Sequence, residues 1–217
     1  LALYSKAIWD VSEAQDGSII AWSEISNANG ALKVYIGSNS TIYLNQDSSY
    51  LFAYIGYADI CTATETISNL SIVNTSNVNN MTNMFLATGY VAMTTLNLGS
   101  NFNTSNVTDM GGMFNLTGLK SLTTFNIGTQ FNTSKVTDMN SMFNGFGQSK
   151  LTSLNLGNSF DTSKVTNMNA MFSGCGMAMT SFNMGSKFNT SNVTNMHYMF
   201  NNFGWKLSSL DLGDLFY

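Results

Sequence analysis

The side chains whose type and spacing could do chemistry are five methionine pairs: Met81/Met84, Met110/Met113, Met139/Met142, Met168/Met171 and Met196/Met199. Thioethers are soft donors, and a ladder of them could hold Cu(I). Each pair, however, is spaced i, i+3 beside a Val and a Phe, as in Val136, Met139, Met142 and Phe143. That spacing is what a packed apolar face requires. The methionines are therefore assigned to the core, and no metal or other cofactor is expected. His197 is the sole histidine and has no Cys or carboxylate at ligand spacing. It takes the place held by Gly111, Asn140 and Asn169 and reads as surface. Asp109 and Asp138 stand where other copies have Asn167 and Asn195, so they read as residues at a helix start, favoured by its dipole. They do not read as paired catalytic carboxylates. With no nucleophile–base pair, metal cluster or phosphate loop in the pattern, no enzyme is expected.

A second set of residues suits recognition. Thr95/Asn97, Thr124/Asn126, Ser153/Asn155, Ser181/Asn183 and Ser209/Asp211 alternate with apolar residues and so face outward on short strands. A row of hydroxyls and amides could bind a protein or a glycan by hydrogen bonds; a solvated face of stacked Asn would read the same way. The loops NLTGLK, NGFGQSK, SGCGMAM and NNFGWK differ most between copies and carry Phe146, Met177, Phe203 and Trp205. An exposed aromatic there could anchor a partner. Phe146 and Phe203 read instead as folding back to seal one edge.

What positions all these residues is a repeat. Asn74–Phe85 reads NTSNVNNMTNMF, and the block returns at Asn103–Phe114, Asn132–Phe143, Asp161–Phe172 and Asn189–Phe200. Its final Phe falls at 85, 114, 143, 172 and 200, giving steps of 29, 29, 29 and 28. A fixed step in this range predicts stacked coils at the upper edge of leucine-rich-repeat lengths. Phe125 and Ile127 predict a short strand, Gly128 a bend, and Phe131 a second inward position. Thr133 or Ser134 is expected to accept a backbone N–H at the start of a short helix. Val136, Met139, Met142 and Phe143 would form its buried face, and Gly145 and Gly147 its left-handed end. The expected fold is thus an α/β solenoid: a leucine-rich-repeat-like, right-handed coil with one short parallel strand and one short helix per rung.

Residues 1–66 lack the repeat. Ser18–Ser23, Ala31–Gly37 and Thr41–Leu44 read as strands, Asp16-Gly17 as a turn and Asn27–Gly30 as a loop. Ser48–Phe52 resembles the end of a repeat. The expected organisation is a β-rich N-terminal cap with a degenerate first rung over 1–66, then about five rungs over 67–217. Cys61 and Cys175 would lie some three rungs apart, too far for a disulfide.

Composition narrows the partners. Only 9% of residues are charged, there are eight Lys and no Arg, and the net charge is -4. Nucleic acid and anionic membrane surfaces are disfavoured, because both require clustered cations. No apolar run approaches the length of a spanning helix, so this segment is not expected to insert in a membrane. Both ends read as cuts through a longer protein or as a processed form.

The repeated N/D-T-S-x-V-T-x-M-x-x-M-F block, in five copies over Asn74–Phe200, resembles that of the BspA-type leucine-rich-repeat surface proteins. The lead-in segments Trp9–Ser12, Ser18–Trp22, Val34–Gly37 and Ser48–Phe52 resemble those that precede such arrays. These rungs are longer than the family's common form, through the Gly-x-x-Phe insert and the loop after Met-Phe. The resemblance implies an extracellular or cell-surface, non-enzymatic module for adhesion, with a protein or glycan ligand on a host or neighbouring cell. The alternative is a structural or assembly component: a rigid spacer, filament subunit or phage-appendage protein, self-associating through its terminal rung.

Overall fold

The computed structural model describes residues 7–10, 19–25, 32–38, 40–57, 67 and 70–216. The chain divides into two compact units, Leu1–Tyr43 and Leu44–Tyr217. In the first, β1 (Ala7–Asp10), β2 (Ile19–Ile25) and β3 (Leu32–Ser38) form an antiparallel sheet in that order. Its register sets Trp9 opposite Ala21 and Trp22 opposite Tyr35. β4 (Ile42–Tyr43) follows. The strands read at Ser18–Ser23, Ala31–Gly37 and Thr41–Leu44 correspond to β2, β3 and β4. The turn at Asp16-Gly17, the loop at Asn27–Gly30 and Cys61 lie outside the described residues. So does the question of a Cys61–Cys175 bond.

The second unit overturns the expected α/β leucine-rich-repeat coil. Among the described residues there is no α-helix, only a 3-10 turn at Leu70–Ile72. The strands are two or three residues long: β5 (Val73–Asn74), β6 (Thr95–Asn97), β7 (Thr124–Asn126), β8 (Ser153–Asn155) and β9 (Ser181–Asn183). β6 pairs with β7 and β8 with β9, both parallel, as separate two-stranded sheets. No continuous or closed sheet forms among them. The unit is β-rich and built mostly of turns.

The physical reason is written in the backbone. A helix requires every residue to be right-handed and every N–H to bond four residues back. Here Ser141, Gly145 and Gly147 have φ of 53°, 63° and 51°. Left-handed residues recur in the same columns of the other repeats, as at Asn83, Ala87 and Gly89. The amides accordingly alternate in direction. Those of Met139, Ser141, Phe143 and Gly145 donate to the carbonyls of Asn167, Asn169, Met171 and Ser173 in the next repeat, at 2.8–3.0 Å. Those of Met142, Asn144 and Phe146 donate three residues back, to Met139, Ser141 and Phe143, at 3.1–3.2 Å. A string of three-residue turns brings Met139 and Met142 to one face as a helix would, so the apolar spacing alone could not separate the two.

Successive repeats lie in register. Parallel bridges link Asp47, Asn80, Asp109, Asp138, Asn167 and Asn195 in sequence order. Residues 48–54 join this pattern: the amides of Ser48, Tyr50, Phe52 and Tyr54 donate to Asn80, Thr82, Met84 and Leu86 at 2.8–3.0 Å. Inside, Phe85, Phe114, Phe143, Phe172 and Phe200 stack at 5.4–5.7 Å with interplanar angles of 3–14°. Phe131, Phe160 and Phe188 form a second stack at 6.4–6.5 Å. Each such ring pair contributes about 0.5–1.5 kcal/mol beyond the area it buries.

A column of buried threonines ties the repeats together. Thr133 does not cap a helix. Its hydroxyl donates to the Asp161 carbonyl at 2.8 Å and accepts the Asp161 N–H at 2.7 Å, one repeat away. Thr104 does the same with Asn132, and Thr162 with Asn189. The hydroxyl thereby satisfies both backbone groups of a residue that strand pairing leaves unbonded. The local turn is instead held by the preceding side chain: Asn132 Oδ1 accepts the Ser134 N–H at 2.9 Å.

Candidate functional site

The outward ladder falls on β6 to β9 and on residues 209–211, where no strand forms. Thr124, Asn126, Ser153, Asn155, Ser181, Asn183, Ser209, Asp211 and Asn97 are exposed, and Thr95 is half-buried. Strand pairing sets Thr95 beside Thr124 and Asn97 beside Asn126, then Ser153 beside Ser181 and Asn155 beside Asn183. It does not join Asn126 to Ser153, so strand pairing links the ladder in two pieces and leaves Ser209 and Asp211 outside both.

The Asn and Asp side chains in this ladder also have a local task. The Oδ1 atoms of Asn97, Asn126, Asn155, Asn183 and Asp211 each accept the N–H of the glycine two residues on, at 2.8–3.0 Å. Such turns hold the glycine's left-handed bend. Gly128 has φ of 81°, and a Cβ there would collide with the Gly99 carbonyl. Asn183 and Asp211 come together at a groove of about 570 Å³, lined also by Phe182, Gly185, Ser186 and Asp214.

The remaining candidates resolve one by one. The methionines of the inner repeats are fully buried; Met199 is buried and Met196 half-buried in the last. Phe146 is buried against Phe114, Phe125 and Phe143, and Phe203 packs on Phe172 and Phe182. Met177 is half-buried and Trp205 is 67% exposed. His197 is exposed beside Tyr198, their rings 3.9 Å apart. Asp109 and Asp138 begin turns, not helices: their Oδ1 atoms accept the N–H groups of Gly111 and Asn140. Asp138 also accepts the side-chain amide of Asn167. Cys175 is fully buried, and burial pushes its thiol far up, so no thiolate forms near neutral pH. Among the described residues no group of three His, Cys, Asp or Glu could hold a metal ion. No described helix is long and apolar enough to cross a membrane.

One cluster escaped sequence reasoning. Tyr54, Tyr57 and Tyr90 touch in series at 5.7 and 4.9 Å. Lys120 Nζ lies 5.5 Å from the centre of the Tyr90 ring. Tyr54 and Tyr50 are left-handed, with φ of 63° and 59°. A side chain in that conformation costs about 1–2 kcal/mol. The signal available was alignment of residues 50–57 with the later repeats, which sets both tyrosines against mostly small residues. The exposed hydroxyls, amides and phenols present hydrogen-bond donors, acceptors and aromatic faces.

Residues 59–148 and 115–211 match a family model described as "Mycoplasma protein of unknown function, DUF285". The two overlapping matches span most of the repeat array. Neither a curated protein nor a solved structure matches the chain.

Proposed function

The chain belongs to this repeat family, and from that premise we propose that it is an extracellular or cell-surface binding module of the BspA type, recognising a protein or glycan partner. The observation that carries the reading is the recurrence of outward Thr/Ser and Asn/Asp side chains from Thr95 to Asp211 on a surface with few charges. All of these donors and acceptors but Asp211 are uncharged, which suits a neutral partner, since a charged one would leave its ions unmatched. The reading does not call for an enzyme or a cofactor. Its test is binding of the labelled full chain to host epithelial cells and to matrix-coated surfaces. Saturable binding, weakened when Asn126 and Asn155 are replaced by Ser, supports it; no saturable binding to any surface at high micromolar protein refutes it.

A second reading is a structural or assembly role, which repeats stacked in register would also serve. Light scattering over a concentration series separates the two readings: mass that grows with concentration favours assembly, and a constant monomer mass disfavours it.

A further inference from the structure

Within the tyrosine cluster, Tyr54 departs from the residues that the later repeats set in its column. Tyr54 occupies the left-handed column held later by Ala87, Leu116, Gly145, Gly174 and Asn202, whereas Tyr50 shares its column with Asn83, Gly112, Ser141, Ala170 and a second tyrosine, Tyr198. Bulky residues seldom adopt this conformation. Burial does not offset it, because Tyr50 is 55% and Tyr54 57% exposed. At Tyr54 a bulky ring is held left-handed and exposed where the later repeats set mostly small residues, which points to use in contact.

We propose that Tyr54, Tyr57 and Tyr90 form a stacking platform for a neutral glycan. The inference rests on the surface-binding reading above and names the partner's chemistry. Tyr54 meets Tyr57 at 82° and Tyr57 meets Tyr90 at 51°, so three rings from two repeats hold one another in place. Stacking on them therefore orders little that is not already ordered. The apolar C–H face of a pyranose complements the electron-rich face of a phenol, as a cation does in the Lys120–Tyr90 contact. Among the described residues, the polar side chain bonded at Tyr50 is neutral: Asn83 Nδ2 donates to the Tyr50 hydroxyl at 2.9 Å. Among the described residues Lys120 is the one cation seen on a ring of the cluster.

The test uses the full chain with chitohexaose and maltohexaose as probes, read by saturation-transfer NMR and tyrosine fluorescence. At least one sugar should bind saturably. Tyr54→Ala and Tyr57→Ala should each weaken it about tenfold, the factor carried by about 1.4 kcal/mol. Tyr57→Phe, which keeps the ring, should stay within about threefold by the same relation. Tyr198→Ala, equally exposed but away from the platform, should bind as wild type, with circular dichroism showing each variant folded. Absence of saturable binding to both sugars overturns the proposal, as does unaltered binding by Tyr57→Ala. If wild type and Tyr57→Ala bind cells equally, and periodate treatment of the cells changes nothing, the partner is a protein. The platform then fails while the surface-binding reading stands. If the wild type binds no cells or matrix, that reading fails by itself.

Discussion

Replacing Thr133 by Val keeps the shape of a buried side chain and removes one hydroxyl. That hydroxyl makes two hydrogen bonds, to the carbonyl and from the N–H of Asp161, at 2.8 and 2.7 Å. A hydrogen bond is worth about 1 kcal/mol net, and a backbone group left unsatisfied costs about 1–3 kcal/mol. The added methyl returns at most about 0.8 kcal/mol. The expected loss is about 2 kcal/mol, which lowers Tm by about 4–8 °C in a chain of this size. Thr137→Val is the control: Thr137 is exposed and makes a single 3.2 Å bond to the Thr108 carbonyl. Its effect should stay within about 0.5 kcal/mol. Repeat arrays can open in parts, so urea titration should be paired with amide exchange at Asp161, whose protection should fall most. If Thr133→Val is as stable as Thr137→Val, or Asp161 exchanges no faster, then the threonine column does not tie the repeats.

Gly128→Ala puts a Cβ against the Gly99 carbonyl at a φ of 81°. It should destabilise by about 1–3 kcal/mol, seen as a lower urea midpoint with an unchanged slope. In a Cys61→Ser background, Cys175 should resist Ellman's reagent at neutral pH and react only at the rate of unfolding, since its thiol is fully buried and its ionisation suppressed. Rapid labelling of the native protein would contradict that placement. Burial opposes ionisation of Asp161, but hydrogen bonds from Ser163, then Lys187 and Lys164, hold its carboxyl below the usual 3.8. A depressed folded value means stability present above the unfolded pKa and lost as pH falls through the folded one. Asp161→Asn should therefore lose less stability than the wild type on acidification below about pH 4, in melts recorded from neutral pH downward.

Much of the interior was legible because apolar residues recur at a constant step. Val136, Met139, Met142, Phe143 and Phe131 are all buried, as their spacing requires. Local geometry was not legible in the same way. A helical face and a string of three-residue turns both bring residues three apart together, and only the sign of φ distinguishes them. Gly112, Gly145 and Gly147 hinted at that sign, but Asn83, Ser141 and Ala170 adopt it too, and no propensity marks Ala as left-handed. The threonine column was misassigned because hydroxyls that cap helices and hydroxyls that bridge repeats are the same residues. At the outward ladder, alternation located Asn126 and Asn155, but not that their carbonyl oxygens are already engaged by Gly128 and Gly157. The tyrosine cluster needed residues from two repeats to meet, and one chain read in order does not show such meetings.

The turns that replace helices leave one stretch free to vary. Between Phe143 and Leu154 there are ten residues, and between Phe172 and Phe182 there are nine. Yet Phe143 and Phe172 still stack, and Leu154 and Phe182 still pair. The missing residue is absorbed between Gly176 and Met179, where the previous repeat has Gly147 to Leu151, while bonds across the repeats stay in step. Length and identity at this crest, where Tyr90, Leu119, Gln148, Met177 and Trp205 succeed one another, can change without disturbing the scaffold beneath. Such a molecule can acquire new specificities one loop at a time, because the grammar that holds its shape and the vocabulary it shows to others are carried by different residues.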